Sequence, residues 1–145
     1  EITIPDSVTS IGNYAFNKCT ALTSVSIGSG VTSIGESAFY GCTGLISVTT
    51  PDSVTNRGAN TFNACSGLAN ITIGSGITNI GAGAFQGCSN LTNVTVKATT
   101  PPKLGSYVFY NYPSDMKIYV PSESVNAYKT ATKWSDYASR IYAIS

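Results

Sequence analysis

The stretch FNKCTALTSVSIGSGVTSIGESAFYGCTGLISV, Phe16 to Val48, states a pattern and then states it again. Phe16 returns as Phe39, Cys19 as Cys42, Leu22 as Leu45 and Val25 as Val48, an interval of 23 residues. The interval carries on through Phe62 and Phe85, Cys65 and Cys88, Leu68 and Leu91, Ile71 and Val94. A glycine column keeps the same spacing at Gly12, Gly35, Gly58 and Gly81. A fixed period of this length is the signature of a stacked repeat architecture. One unit is too short to bury its own apolar face, so it buries that face on the next copy.

The unit itself predicts its conformation. In L-x-x-V-x-I, Val25 and Ile27 fall two apart and share one strand face, while Ser24 and Ser26 point the other way. Stacking the units pairs strand on strand in parallel, which satisfies the backbone groups. Val31 to Ile34 gives a second short extended piece, and the glycine after it suits a tight corner where a positive φ is cheap. The run ESAFYGC then forms a short helical or turn-like arc that tucks Ala38 and Phe39 inward. The predicted fold is a right-handed solenoid of stacked parallel strands, with the cysteines as one inward column.

The register predicts four full coils and a degenerate fifth over residues 1–121, followed by a helical cap over 122–145. Phe85 to Phe109 is 24 residues, the extra one lying in KATTPPKLG. In the fifth coil Tyr112 then takes the cysteine column and Asp115 the leucine column, and KIYVP (117–121) is the last strand. Ser122 reads as a helix N-cap behind Pro121. Val125, Tyr128 and Trp134 are expected over the open end of the solenoid. The opening EITIPDSV lies already inside the pattern, which reads as an excerpt from a longer array with an open N-terminal edge.

These columns resemble the BspA-like leucine-rich repeat family, found in surface proteins of mouth and gut anaerobes and of some protozoan parasites. The resemblance rests on IPDSVTSIGNYAFNKCTALTSVSI (4–27) and its copies, and on IYVPSESVNAYKTATKW (118–134), which looks like that family's closing segment. It implies a leucine-rich-repeat solenoid, export to the cell surface or the medium, and binding to host matrix proteins or to other cells. One coil departs from the pattern. Thr50 stands where Ile4, Ile27, Ile73 and Val96 stand, and Arg57 where Ile11, Ile34 and Ile80 stand. A buried unpaired guanidinium is costly, so the expectation is an opened corner that lets the charge reach water, either as a loose coil or as a local ligand contact.

Composition narrows the function. Hydrophobic residues make up 42% and charged residues only 10% of the chain, against about 25% charged in an ordinary domain. The net charge of +1 gives no basis for attracting nucleic acid or acidic lipid. No run approaches the roughly 20 apolar residues of a membrane helix. The chain holds no histidine, which removes the usual general base and the commonest metal ligand. Asp6 and Asp52 lie two coils apart, about 10 Å on the parallel spacing, near the upper end of an inverting glycosidase pair. A turn-forming role explains each without catalysis. Zinc needs ligands converging within about 2.3 Å, whereas a four-rung cysteine ladder spreads over about 14 Å. Small buried hydrophobes are the better reading of the thiols, with adjacent-rung disulfides the alternative.

No catalytic residue, metal site or cofactor is therefore assigned. The candidate binding face is the outward strand lattice of Ser24, Ser26, Ser47, Thr49, Asn70, Thr72, Asn93 and Thr95. It can offer hydrogen bonds to a protein strand or a glycan, and it is also what a solvated sheet face looks like. Asn70, Asn90 and Asn93 begin N-x-Ser/Thr sequons that follow from the composition of the repeat. Seven of the nine tyrosines lie between Tyr107 and Tyr142. They suit a cap with a wet rim, and Tyr107, Tyr110 and Tyr112 are the candidate aromatic contacts. The expected function is a non-enzymatic adhesive module for a protein partner in host matrix or on another cell. A structural spacer and a glycan-binding module for nutrient capture are the alternatives.

Overall fold

A computed structural model describes residues 2–144. Each repeat contributes a longer strand and a two-residue strand, and the two kinds build separate parallel sheets. The longer strands are β1 (Ile2–Ile4), β3 (Ser24–Ile27), β5 (Ser47–Thr49), β7 (Asn70–Ile73), β9 (Asn93–Val96) and β11 (Lys117–Val120). The short ones are β2 (Ser10–Ile11), β4 (Ser33–Ile34), β6 (Asn56–Arg57), β8 (Asn79–Ile80) and β10 (Lys103–Leu104). Register follows the period: Val25 lies against Val48, Val48 against Ile71 and Ile71 against Val94. The expected solenoid of stacked parallel strands is the fold observed.

Between the sheets the columns become ladders. Phe16, Phe39, Phe62, Phe85 and Phe109 stack with ring centroids 5.1, 5.2, 5.6 and 5.6 Å apart and planes within 12° of parallel. Burying each ring contributes about 1.5–3 kcal/mol, and the ring–ring contact adds about 0.5–1.5 kcal/mol. The cysteines are free, as the preferred reading had it. They also have a polar task that the sequence did not disclose. The thiols of Cys42, Cys65 and Cys88 donate to the carbonyls of Phe16, Phe39 and Phe62, at 3.1, 3.1 and 3.2 Å.

The glycine column has a different cause from the one expected. Gly12, Gly35, Gly58 and Gly81 are not the residues with positive φ. A Cβ on Gly35 would lie 2.6 Å from the Asn13 nitrogen, and one on Gly58 2.5 Å from the Glu36 nitrogen. At Gly35, Gly58 and Gly81 backbone of the neighbouring coil occupies the space, so close approach selects glycine there, whereas a Cβ on Gly12 would meet nothing within 4 Å. Apart from Lys133 in the C-terminal region, the left-handed positions lie in the arcs, in two columns: Tyr14, Ser37, Asn60, Gly83 and Tyr107, then Lys18, Gly41, Ala64, Gly87 and Asn111. Only some carry glycine, so the sequence conceals them.

The irregular coil does not open. Arg57 is 1% and Thr50 2% exposed. Arg57 Nη2 donates to Thr50 Oγ1 at 2.6 Å across the interior, and Thr50 Oγ1 donates to the Thr72 carbonyl at 3.3 Å. The guanidinium lies 5.3 Å from the Phe62 ring centroid and 5.5 Å from that of Phe85. These ring faces partly replace water around the cation. Nε and Nη1 have no partner, and burial pushes the Arg57 pKa down to about 9. The two departures from the repeat are thus one paired substitution.

The C-terminal region holds the expected helix, α1 (Val125–Thr130), with 3-10 turns at Ser122–Ser124 and Trp134–Arg140. Tyr128 and Trp134 are buried over the end of the ladder, Trp134 lying 6.2 Å from Phe109, and Val125 packs against the core. The Tyr128 hydroxyl donates to the Ala98 carbonyl at 2.7 Å, and Trp134 Nε1 to that of Pro102 at 2.8 Å. Ser122 is not the cap of α1. Ser124 precedes the helix, and its hydroxyl donates to the Thr99 carbonyl.

KIYVP is not the last strand either. β12 (Ile141–Ala143) pairs in parallel with β11, Ile118 against Ile141, at the same 23-residue interval. In the preceding coil Met116, not Asp115, fills the leucine place: it is buried and donates from its backbone to Pro113, as Leu91 does to Cys88. Tyr112 is exposed beside Pro113, so the register there is shifted by one residue from the expected alignment.

Candidate functional site

The strand face is built by pairing. Ser24, Ser47, Asn70 and Asn93 are register partners in one row, and Ser26, Thr49, Thr72 and Thr95 in the next. All eight are exposed or half-buried, because they alternate along their strands with the core residues Val25, Val48, Ile71 and Val94. The amides of the first row form a ladder, with Asn93 Nδ2 donating to Asn70 Oδ1 at 2.9 Å. A shallow groove of about 370 Å³ crosses the rows at Ser24, Ser26, Ser47 and Thr49.

The rows run further than the sequence reading took them. Asn93 pairs with Lys117 and Thr95 with Tyr119, and Tyr119 pairs with Tyr142 on β12. The two rings lie 6.1 Å apart, with Lys117 Nζ 5.8 Å from the Tyr142 ring centroid. The face thus changes from hydroxyl and amide to aromatic and cationic toward its C-terminal edge. The repeat of IYV (118–120) as IYA (141–143) was the available signal.

The aspartates of the PDSV turns are engaged in structure. Asp6 Oδ1 accepts the Ser29 backbone N–H at 2.9 Å and Asp52 Oδ1 that of Ser75 at 2.7 Å. The Ser75 backbone and hydroxyl hold the Asp52 carboxyl below its ordinary range. Each carboxylate ties its turn to the following coil. Among the described residues, no group of three or more His, Cys, Asp or Glu side chains is placed to hold a metal ion. No helix among them is long and apolar enough to cross a membrane. The Cys42 thiol and burial push the Cys65 pKa up, and burial pushes that of Cys88 up to about 12, so both thiols stay protonated at neutral pH.

Tyr107, Tyr110 and Tyr112 stand apart from the strand face, on the arc between β10 and β11. They are 69%, 50% and 37% exposed. Tyr107 meets Tyr110 edge-on at 5.6 Å, and Tyr112 meets Tyr137 edge-on at 5.5 Å. The Arg140 guanidinium covers Tyr112 at 4.8 Å and donates to the Ser114 carbonyl at 2.6 Å. The three tyrosines line one cleft, of about 570 Å³, together with Lys133, Asp136 and Tyr137 of the C-terminal region. Sequence reasoning missed those three, because only the returning chain brings them against the arc.

Comparison with known proteins places this geometry. The profile of the BspA type leucine rich repeat region matches residues 1–131, in 6 copies. No curated protein matches the chain. Among solved structures, a leucine-rich repeat protein from Bacteroides ovatus superposes with a TM-score of 0.66 at 29% identity, over 81% of this chain and 30% of that one. The pneumococcal vaccine antigen PcpA gives 0.73 at 24% identity, over 84% of this chain and 30% of that one. The T. pallidum leucine rich repeat protein TpLRR gives 0.65 at 24% identity, over 94% and 67%. The last two likenesses bear on the fold alone. The chain thus spans 30% of the length of the first two proteins.

Proposed function

The chain belongs to the BspA-type leucine-rich repeat family, and from that membership we propose that it is a non-enzymatic module, secreted or at a cell surface, that adheres to a protein partner. The partner is host extracellular matrix or the surface of another cell. The observation that carries the reading is the continuous outward face of the seven-stranded sheet. Its paired rows of Ser, Thr and Asn are held in fixed register by the ladder beneath them. Such a face offers many weak hydrogen bonds from a rigid support, so little ordering entropy opposes binding. Affinity then grows when many copies act together on one surface.

The test is biolayer interferometry of the monomeric chain against a panel of purified matrix proteins, with Asn70→Ala/Asn93→Ala in parallel. Saturable binding that weakens in the double variant is the expected result. Binding that is unchanged in the variant removes the strand face from the mechanism. No binding at tens of micromolar would leave the repeats as a spacer.

A further inference from the structure

The last arc carries side chains that the repeat does not require. Tyr107 stands where earlier arcs place Tyr14, Ser37, Asn60 and Gly83, and Tyr110 where they place Asn17, Tyr40, Asn63 and Gln86, so only the last arc carries tyrosine at both positions. The scaffold accepts small or amide residues at both positions, and neither ring is buried by the fold. These rings, with Tyr112 and Tyr137, instead line the cleft whose buried wall includes Leu104 and Val108. Its volume of about 570 Å³ lies within the range of small-molecule sites. An aromatic wall with a few convergent polar groups is the usual make-up of such a site.

We propose that the cleft between the Tyr107–Tyr112 arc and the Lys133–Tyr137 turn binds a neutral pyranose saccharide, its ring against tyrosine and its hydroxyls on Asp136 and Asn111. The negative π face of tyrosine attracts the weakly positive C–H face of a pyranose. The polar lining mixes acceptor and donor: Asp136 only accepts, Lys133 only donates, and Asn111 does both. Sugar hydroxyls also do both, so each lining group finds a complement. Lys133 and Asp136 carry opposite charges, which disfavours a net anionic or cationic ligand. Asp136 and Tyr137 share the cleft, and burial, with Tyr112 and Asp136 nearby, raises the Tyr137 pKa, so its phenol keeps its proton. A proline-rich peptide is the other common occupant of a tyrosine-lined groove. Its prolines have no N–H to offer Asp136, which favours the sugar.

The site is separate from the strand face, and its test uses different residues. Saturation-transfer NMR on the full chain would use methyl β-glucoside, methyl β-galactoside, methyl α-mannoside and methyl N-acetyl-β-glucosaminide, each at about 10 mM. Transfer to the ring C–H protons of at least one is expected. Tyr110→Ala and Asp136→Asn should each weaken that binding about tenfold, while Asn70→Ala/Asn93→Ala leaves it unchanged. Circular dichroism verifies folding, and Asp136→Asn alone decides the question if Tyr110→Ala does not fold. The proposal is overturned if no pyranoside receives transfer from the folded chain, or if Asp136→Asn binds as the parent does. It is equally overturned if a proline-rich peptide shifts the Tyr110 ring resonances while no pyranoside does.

Discussion

Replacing Thr50 and Arg57 together by isoleucine should make the protein more stable. Arg57 now keeps one charge-assisted hydrogen bond, to Thr50, and two ring contacts. The hydrogen bond contributes about 1.5–3 kcal/mol, and each ring contact about 0.5–2 kcal/mol. Against them stand two buried donors without partners, at a cost of about 1–3 kcal/mol each. Desolvation of the charge adds about 5 kcal/mol, on the fall in pKa from 12.5 to about 9. The unfavourable side is larger. The double variant restores the isoleucines found at Ile34 and Ile80 beside Arg57 and at Ile27 and Ile73 beside Thr50, and should gain about 1–4 kcal/mol.

Thr50→Ile alone strips the guanidinium of its one hydrogen bond and should lose about 2–3 kcal/mol. Arg57→Ile alone leaves Thr50 bonded to the Thr72 carbonyl and should capture most of the gain. Urea unfolding followed by circular dichroism measures all four proteins, and the cycle gives the coupling. A double variant less stable than the parent, or single effects that simply add, would refute the reasoning.

Above the carboxylate range stability should be level with pH up to 9.0 and fall as pH rises toward about 12, because Cys88 is raised from 9.0 to about 12 in the folded chain and Cys65 is raised as well. The unfolded thiol loses its proton first, so about 4 kcal/mol disappears across that window. Arg57 works in the opposite sense above about 9. Cys88→Ala therefore isolates this thiol by reducing the slope in alkaline urea titrations, the remainder belonging to Cys65, which is raised as well. A thiol reagent added to the native protein should modify Cys19 quickly and Cys42, Cys65 and Cys88 only on unfolding; rapid modification of two or more thiols contradicts the buried ladder. Trp134→Ala should cost about 3–5 kcal/mol and speed amide exchange in β12 more than in β5, since Trp134 covers the end of the ladder that β12 closes. Equal acceleration in both strands would show the C-terminal region is not a separate lid.

Over the first four coils, the sequence by itself determined the pairing of each column residue with its copy one coil away. Phenylalanine stacks on phenylalanine, valine pairs with valine and serine with asparagine because identical coils in parallel place position i beside i + 23. Periodicity is one-dimensional information, and it suffices where the structure is a translation. Tertiary structure alone decided the contacts that break the translation. Arg57 and Thr50 are seven residues apart in one coil, and their pairing depends on two sheets facing each other across a gap of fixed width. The glycine column reflects how closely the coils stack, a distance no pattern states. Chain returning at Lys133 to Tyr137 folds Tyr137 against Tyr112, and there the aromatic cleft arises. Side chains far apart in the period meet only where the solenoid ends and the chain must turn back.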